Sequence, residues 1–571
     1  MKVSDYIVSF LIQKGITDVF GYPGGMITYL LDSLSKRSDK IRAHVCYHEQ
    51  GAAFAACGYA KTSLKPGVSY ATSGPGATNL VTGIANAYFD SCPTIFITGQ
   101  VNTNEEKGSL PLRQKGFQEM DVIALVESIT KYCVKIDNAN DIRYHLEKAY
   151  SMAVSGRQGP VLLDIPIDIQ RTEIEPDSLK AFEGLLHAAY CNLSFVQGSI
   201  YKAINASKRP CIIAGAGIMS CGMGRLFAKW IDSVKIPVVC SMPAIDVLPN
   251  SPYSYGLIGS YGLRHSNFIL AKSDLIISLG SRLNLRQTGA NTKNFAMNAK
   301  LLRVDIDVNE FSNKVKEDEE EFLLDLRDLL LILNSDAGIT VPDFSKWLDV
   351  CEEIRSKLQY MDDQEANLAI RKLSQWIESD TVVTTDVGQN QVWVAQSFVP
   401  RGQRILFSSG HGAMGYSLPA AIGAYYGSGG KKVVSFSGDG GIQMNIQELQ
   451  FIARERIPIK ILLLNNYSLG MIRHFQEMYF ESNYMHTIGK RGYVVPNFGA
   501  ISEAYGIPYV KSEGLAELDV IKPHLSSGGP AFIELSFKDD TYVFPKLGMG
   551  KPTCDQEPEL DRDLFEHILG L

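Results

Sequence analysis

Short apolar runs recur along this chain, and each is followed by a helical stretch that begins at a glycine-rich turn. The turns are GYPGG at 21–25, SGPGATN at 73–79, GAG at 215–217, SGHGAMG at 409–415 and SGDGG at 437–441. Strand–helix alternation predicts parallel sheets with helices on both faces. Ligands of such sheets bind at the carboxyl ends of the strands, where glycine permits close backbone approach. One such turn would be ordinary, but their recurrence indicates ligand binding.

Breaks in the alternation predict an α/β protein with three doubly wound parallel-sheet domains. We place the first domain at 1–170, a middle domain at 195–335, a third at 360–545 and a C-terminal tail at 546–571. A chain of 571 residues has room for about three or four domains. In the first domain we expect strands at 44–47, 68–72, 94–98 and 161–165. The polar, turn-rich stretch 334–343 separates the middle and third domains.

Composition excludes several classes of function. The net charge is −7 and the isoelectric point is near 5.9, which disfavours nucleic acid as a partner. The most apolar stretch, 322–333, is interrupted by Asp325, Arg327 and Asp328, so no membrane span is predicted. The ten cysteines include no Cys-x-x-Cys pair, which argues against a disulfide framework or a zinc ribbon. The N-terminus fits an amphipathic helix, so we expect a cytoplasmic protein.

Gly438, Asp439 and Gly440 follow the apolar run 433–437, and Asn465 and Asn466 follow the next apolar run, 459–464. This order predicts strand, turn, a helix over 441–455, and a second strand. Asp439 and Asn466 then lie at the ends of two strands and offer the hard oxygen ligands that Mg²⁺ prefers. The N–H groups at the start of the helix favour an anion there. The segment therefore predicts a Mg²⁺-diphosphate site, although Asp-Gly and Asn-Asn are also common in plain turns and loops.

Glu49 stands in the sequence YHEQGAA, where a short strand leads into a helix rich in alanine and glycine. A glutamate in the first turn of a helix is usually a partner of the helix dipole. With no other information, this dipole role is the favoured interpretation of Glu49.

Nearly the full chain resembles the acetohydroxyacid synthase (acetolactate synthase) large-subunit family of thiamine-diphosphate-dependent enzymes. The matching blocks are GYPGG at 21–25, HEQGAAFAACGYA at 48–60, SGPGATNL at 73–80, DSCPTIFITGQV at 90–101, FQEMD at 117–121, TDVGQ at 385–389, GAMGYSLPAAIGA at 412–424, and SGDGGIQMNIQEL at 437–449 with the later Asn pair. The resemblance implies a pyrimidine-binding first domain, a diphosphate-binding third domain, and an active site between the chains of a homodimer or homotetramer.

Carried over by position, the resemblance implies that Asp439, Asn466 and the carbonyl of Ser468 bind Mg²⁺. It implies that Glu49 activates the cofactor and that Gly25 and Gln118 approach the reacting centre. The residues implied to contact or support thiamine diphosphate are Gly388, Gln389, Asn390, Met414, Gly438, Gly440, Gly441 and Met471. The family usually has histidine where this chain has Asn390, and an amide cannot become cationic.

The middle domain carries Gly215 and Gly217 after an apolar run, but the full GxGxxG is absent. The resemblance implies FAD, held without a net redox role, at Gly215, Gly217, Ser241, Met242, Gly280, Arg282, Asp305 and Ile306. The alternative is a middle domain without flavin. In Arg282-Leu283-Asn284-Leu285-Arg286 the family has two aspartates between the arginines, whereas this chain has none.

The resemblance implies a carboligase that decarboxylates pyruvate and transfers the two-carbon unit to a second 2-oxo acid, giving 2-acetolactate. Arg286 would face the acceptor carboxylate. Phe475 stands where the biosynthetic synthases have the tryptophan associated with preferring 2-oxobutyrate, although an aromatic residue there could also be plain core. The alternatives are a carboligase for another acceptor, such as a keto-sugar nucleotide, a simple 2-oxo acid decarboxylase, and a non-catalytic binder. The acceptor and any regulatory subunit cannot be deduced from the sequence.

Overall fold

A computed structural model describes residues 1–184, 190–335 and 340–571 and shows three six-stranded parallel sheets with helices on both faces. The predicted fold class is therefore confirmed. The stretch 334–343, interpreted as a domain boundary, lies partly outside the described residues.

The first sheet has the strand order β2-β1-β3-β4-β6-β5. Its strands are β1 (Asp18–Gly21), β2 (Arg42–Val45), β3 (Gly67–Ala71), β4 (Thr94–Gln100), β5 (Tyr132–Lys135) and β6 (Pro160–Pro166). The accompanying helices are α1 (Val3–Gln13), α2 (Thr28–Lys36), α3 (Glu49–Ser63), α4 (Pro75–Phe89), α5 (Val122–Val126), α6 (Ile142–Val154) and α7 (Ile167–Arg171). The strand expected at 44–47 ends earlier, because the Tyr47 N–H donates to Glu448 rather than to a neighbouring strand.

The second sheet has the order β12-β11-β10-β7-β8-β9. Its strands are β7 (Pro210–Ala214), β8 (Val238–Cys240), β9 (Ser254–Leu257), β10 (Leu275–Leu279), β11 (Lys300–Asp305) and β12 (Glu320–Leu323). Its helices are α8 (Leu193–Ala206), α9 (Ala216–Ser220), α10 (Gly224–Val234), α11 (Arg264–Lys272), α12 (Leu285–Thr288) and α13 (Leu326–Leu333). Counted within this sheet, the order is that of dinucleotide-binding folds, with the reversal between β7 and β10.

The third sheet has the order β14-β13-β15-β16-β18-β17. Its strands are β13 (Val382–Thr385), β14 (Arg404–Leu406), β15 (Val433–Gly438), β16 (Ile459–Asn465), β17 (Tyr509–Glu513) and β18 (Ala531–Ser536). The helices are α14 (Ser345–Leu358), α15 (Glu365–Trp376), α16 (Gln389–Ser397), α17 (Ser417–Gly427), α18 (Asp439–Met444), α19 (Leu449–Glu455), α20 (Gly470–Tyr479), α21 (Phe498–Ala504) and α22 (Lys522–Ser526). A short antiparallel pair, β19 (Lys546–Leu547) and β20 (Gln556–Glu557), precedes α23 (Arg562–Gly570).

One helix prediction is wrong in detail. The helix expected over 441–455 begins at Asp439 and is interrupted after Met444, and α19 completes it. The interruption falls at Asn445, whose side-chain amide donates to the carbonyl of Gly415 at 2.9 Å and to Gln50 at 3.1 Å. Those contacts hold Asn445 away from helical geometry.

The first and third sheets have the same strand order when each is counted from its own first strand. Their equivalent helices α3 and α17 pack so closely that a Cβ on Gly58 would lie 2.1 Å from the carbonyl oxygen of Ala420. A Cβ on Gly423 would lie 1.7 Å from the carbonyl oxygen of Ala55. Glycine is therefore required at this contact between the two domains.

Candidate functional site

Glu49 is the first residue of α3, and its side chain is buried against α4. The residue is 8% exposed, and its Oε2 accepts a hydrogen bond of 2.9 Å from the amide of Asn79. A Cβ on Gly76 would lie 3.3 Å from Oε1 of Glu49. A helix-dipole partner needs no such burial, so the environment suits a carboxylate that binds a ligand group.

Gly25 and Gln118 lie near the same turn, at 72–76, after β3. The N–H of Met26, next to Gly25, donates to the hydroxyl of Thr72 at 3.2 Å. Gln118 has φ +65°, and its Cβ lies 3.0 Å from where a Cβ on Gly74 would be. Apart from the two chain neighbours of Gly25, no heavy atom of the described residues lies within 4 Å of its Cβ position. We call Gly25, Glu49, Gln118 and this turn the first half-site.

Asp439 is the first residue of α18 and is 3% exposed. Its Oδ1 accepts from the N–H of Gly440 at 2.8 Å, and its Oδ2 accepts from the N–H of Ser468 at 3.1 Å. Burial raises the pKa of Asp439 to about 7. Within the described ranges no lysine or arginine pairs with it. A bound cation would stabilise the ionised carboxylate and so compensate for its loss of solvation.

Asn466 lies just beyond β16, and its amide nitrogen donates to Oε1 of Gln389 at 2.9 Å. The Asn466 oxygen stays available for a cation. In the part of the chain that the structure describes, no group of three His, Cys, Asp or Glu side chains could hold a metal alone. Asp439, Asn466 and the Ser468 carbonyl therefore fit Mg²⁺ best when phosphate oxygens complete its ligands.

The backbone at two glycines, Gly388 and Gly438, lies close to the side chain of Asn390. Gly388 has φ +144°, and a Cβ there would lie 3.1 Å from the amide nitrogen of Asn390. A Cβ on Gly438 would lie 3.0 Å from the same nitrogen. The Nε2 of Gln389 and the Oδ1 of Asn390 are buried without a hydrogen-bond partner among the described residues. Buried amides without partners at the start of α16 fit a polar ligand such as a diphosphate.

The remaining predicted contacts surround the start of α18. A Cβ on Gly440 would lie 3.2 Å from Cε of Met414, and one on Gly441 would lie 2.6 Å from Oδ1 of Asp386. Met471 lies in the first turn of α20 and is partly buried. We call the predicted residues 388–390, 414, 438–441, 466, 468 and 471 the second half-site.

Asp386 is a buried carboxylate that the sequence argument missed. It accepts hydrogen bonds from the N–H groups of Val387 at 2.8 Å and Gly415 at 2.9 Å, and from Ser417. Burial raises its pKa to about 6. Asp386 therefore joins the turn after β13 to the turn that carries Met414. The only signal was its place in TDVGQ at a strand end.

A cavity of about 250 Å³ lies where the three domains meet, at the strand reversal of the middle sheet. Six of the residues expected around FAD line it: Gly217, Ser241, Gly280, Arg282, Asp305 and Ile306. Gly215 and Met242 are not among the lining residues. Gly215 lies behind the wall, since a Cβ there would be 2.0 Å from the carbonyl oxygen of Gly280.

The chemistry of the cavity fits a dinucleotide. The hydroxyl of Ser241 is buried and has no hydrogen-bond partner in the described ranges. Burial raises the pKa of Asp305 at the end of β11. Arg282 reaches across to donate to the carbonyl of Phe89 at 3.0 Å. Where the family has two aspartates, Leu283 is buried with φ +49° and Asn284 caps α12.

Arg286 and Phe475 are connected through two tyrosines. The Arg286 guanidinium lies 5.6 Å from the ring centre of Tyr261. Burial raises the pKa of Tyr261; the charge of nearby Arg286 lowers this pKa, and nearby Tyr479 raises it. The Phe475 ring lies 4.8 Å from that of Tyr479 and is 42% exposed. We call Arg286, Tyr261, Phe475 and Tyr479 the aromatic face.

The three sheets and the two half-sites define a three-domain protein of the thiamine pyrophosphate (thiamine diphosphate) enzyme class. Three family models match the chain, each described as part of a thiamine pyrophosphate enzyme. They are the N-terminal TPP binding domain at residues 1–125, the central domain at 199–333 and the C-terminal TPP binding domain at 386–535.

Known relatives match almost the whole chain. The acetolactate synthase large subunit of Lactococcus lactis is 36% identical over 560 residues, covering 96% of this chain and 94% of that protein. The acetolactate synthase isozyme 2 large subunit of Escherichia coli is 34% identical, covering 98% and 100%. A chloroplastic acetolactate synthase 2 of Zea mays is 33% identical, covering 96% and 87%. The chain belongs to the acetolactate synthase large-subunit family of thiamine pyrophosphate enzymes.

In the described ranges no helix is both long and apolar enough to cross a membrane.

Proposed function

We propose that this chain decarboxylates pyruvate and joins the two-carbon unit to a second 2-oxo acid, forming 2-acetolactate. The observation that carries this proposal is that both half-sites and the aromatic face occur in one chain, with Glu49, Asp439, Asn466 and Arg286 all present. The similarity of the chain to acetolactate synthases over almost its whole length supports the same function. Neither the keto-sugar carboligase nor the simple decarboxylase is favoured by these relatives.

Mg²⁺ would be held by Asp439, Asn466 and the Ser468 carbonyl, and the diphosphate would lie over Gly388, Gln389 and Gly438. When bound, thiamine diphosphate supplies an acidic carbon and the electron sink that decarboxylation of a 2-oxo acid needs. Glu49, held by Asn79, would hydrogen-bond to the N1′ nitrogen of the aminopyrimidine and favour its reactive tautomer. Arg286 would bind the acceptor carboxylate through paired charge-assisted hydrogen bonds.

We also propose that two chains complete each active site. No hydrogen bond between described residues joins Gly25, Glu49 or Gln118 to Gln389, Met414, Asp439 or Asn466 of the same chain. Homodimers or homotetramers in which the first half-site of one chain faces the second half-site of its partner would supply the missing half.

We propose FAD as the ligand of the middle cavity, bound without net electron transfer. The dinucleotide-type strand order and the close approach of Gly217 and Gly280 support it. So does the buried Ser241 hydroxyl, which has no hydrogen-bond partner among the described residues. Purified protein should be yellow and should release FAD on denaturation. Colourless protein whose stability does not respond to added FAD would contradict this assignment.

Product analysis tests the reaction itself. With pyruvate alone, the enzyme should form acetolactate in excess over acetaldehyde. Arg286→Lys should shift the products toward acetaldehyde, since lysine keeps the charge but loses the planar fork. Phe475→Trp should favour 2-oxobutyrate as acceptor, by about 1–3 kcal/mol at most for one extra methyl group. A wild type that forms only acetaldehyde would be a decarboxylase, and the proposal would be wrong.

A further inference from the structure

Lys546, in β19, is a buried cation without an ionic partner. The residue is 9% exposed, and no carboxylate among the described residues lies within ion-pair distance of it. Glu557, its cross-strand neighbour in β20, forms its ion pair with Lys551 instead. Its one side-chain hydrogen-bond partner in those ranges is the thioether sulfur of Met478 in α20, 3.1 Å from Nζ. A thioether is a weak acceptor, so at least two of the three ammonium donors are unused.

Two other buried lysines show how this protein normally satisfies such a group. Lys272 donates to the carbonyl of Leu569 at 2.7 Å. Lys460 donates to the carbonyl of Ser527 at 2.7 Å and to the hydroxyl of the same residue. Among the described residues, no oxygen accepts a hydrogen bond from the Lys546 ammonium. Burial lowers its pKa, as expected for an ammonium that no anion compensates.

The ammonium group of Lys546 lies at the aromatic face. Nζ of Lys546 is 5.8 Å from the centre of the Phe475 ring. The next residue, Leu547, donates its N–H to the carbonyl of Ser260 at 2.7 Å, and Ser260 donates its own N–H to the carbonyl of Arg286 at 2.8 Å. The segment that carries Lys546 is thus fixed, through Ser260, to the helix that carries Arg286. Arg286 likewise has no carboxylate partner in the described ranges.

We infer that Lys546 is an anion-binding residue of the acceptor side of the site and that it selects carboxylate-bearing acceptors over neutral carbonyl compounds. The inference rests on the proposed carboligase function. An anionic acceptor placed against Phe475 would supply the oxygen that Lys546 lacks, whereas an aldehyde would leave the ammonium unpaired. Lys546 thus adds a second positive charge to that of Arg286.

The test uses two acceptors that differ only in the carboxylate, 2-oxobutyrate and propanal, with pyruvate as donor. Lys546→Met keeps the apolar stem and removes the charge, and Lys546→Arg keeps the charge. The matched control is Lys538→Met, which removes an exposed charge from the same segment. We expect the preference for 2-oxobutyrate over propanal to fall roughly tenfold or more in Lys546→Met, the effect of one lost charge-assisted hydrogen bond. Lys546→Arg should retain most of the preference, and Lys538→Met should retain all of it.

An unchanged preference in Lys546→Met, or an equal loss with both acceptors, would overturn the inference. Titration of the holoenzyme with oxamate, an unreactive 2-oxo acid analogue, separates this result from failure of the proposed function. If wild type forms no carboligation product, the proposed reaction is wrong, but oxamate must still bind more weakly to Lys546→Met than to wild type. Equal oxamate affinity in the two proteins would rule out the anion-binding role.

Discussion

Asp439 shows at the scale of one residue how ligand binding conflicts with stability. Its carboxyl is buried, burial raises its pKa to about 7, and it accepts hydrogen bonds from the backbone N–H groups of Gly440 and Ser468. Such a group destabilises the ligand-free protein when it is ionised. Its retention is understandable if the Mg²⁺-diphosphate supplies the missing positive charge.

Asp439→Asn should therefore leave the ligand-free protein at least as stable as wild type and abolish stabilisation by thiamine diphosphate with Mg²⁺. For wild type at 100-fold excess over Kd that stabilisation is about 2.7 kcal/mol. Thermal unfolding with and without both ligands measures it. Asp540→Asn, which changes an exposed carboxyl of the same domain, is the control and should respond as wild type does. Equal ligand stabilisation in Asp439→Asn would show that Asp439 does not hold the metal.

Glu49→Gln keeps the size and an oxygen for Asn79 but removes the charge. We expect turnover to fall by about 10²- to 10⁴-fold, while calorimetry shows thiamine diphosphate still binding. Deuterium exchange at C2 of the bound cofactor, followed by NMR, should slow in parallel with turnover. Exchange at the wild-type rate would leave Glu49 with only its role at the helix terminus.

Some of these residues could be found from the sequence and others could not. Asp439 and Asn466 follow apolar runs, so the rule that strand ends carry ligands places them near each other without any contact information. Asp386 acts through hydrogen bonds to Gly415 and Ser417, about thirty residues further along the chain. Lys546 is notable only because no carboxylate among the described residues forms an ion pair with it. Such tertiary relations have no local pattern.

The secondary structure shows the same contrast between features that the sequence predicts and features that it does not. Strand–helix alternation predicts the sheets well, because central strands that are buried on both faces are continuous apolar runs. The break at Asn445 is not predictable, since it depends on contacts with Gly415 and Gln50 from other parts of the chain. After the break, Glu448 turns toward α3 and accepts from the N–H of Tyr47 at 2.9 Å. This segment therefore links the second half-site to the helix that begins with Glu49.

Glu448 should make the stability of the folded protein depend on pH. Burial raises its pKa to about 8 from the ordinary value near 4.5, so the folded state holds a proton that the unfolded state releases. The resulting stability is fully present below about pH 4.5 and is lost as pH rises through about 8. Relative to that of Glu448→Gln, the free energy of unfolding of wild type should fall by on the order of a few kcal/mol across this range.

Denaturant unfolding of wild type and Glu448→Gln from pH 5 to 8.5 measures this difference. Glu455→Gln, a change at a more exposed glutamate at the end of α19, is the control and should follow wild type. A constant difference between wild type and Glu448→Gln over the range would mean that Glu448 is ionised in the folded protein.

At the scale of the whole molecule, the first and third domains are two copies of one architecture. Their sheets share a strand order, and their equivalent helices α3 and α17 pack through Gly58 and Gly423. Each domain carries a half-site at the carboxyl ends of its strands, but the half-sites differ in chemistry. One presents the carboxylate of Glu49, and the other presents the residues that we propose for Mg²⁺ and diphosphate. Two chains related by a twofold axis would then form two equivalent active sites, each combining the first half-site of one chain with the second half-site of its partner.

This arrangement predicts that two inactive variants can restore each other. In a mixed dimer of Glu49→Gln and Asp439→Ala, one site combines the intact Glu49 of one chain with the intact Asp439 of the other, whereas the second site carries both defects. Dimers isolated through two different affinity tags should therefore show about half of the wild-type activity per dimer. Each variant alone should show almost none. If each chain instead formed its site from its own two half-sites, every site in the mixed dimer would contain one defect. Activity would then stay at the level of the single variants, because no intact Glu49 could act on a cofactor held by an intact Asp439.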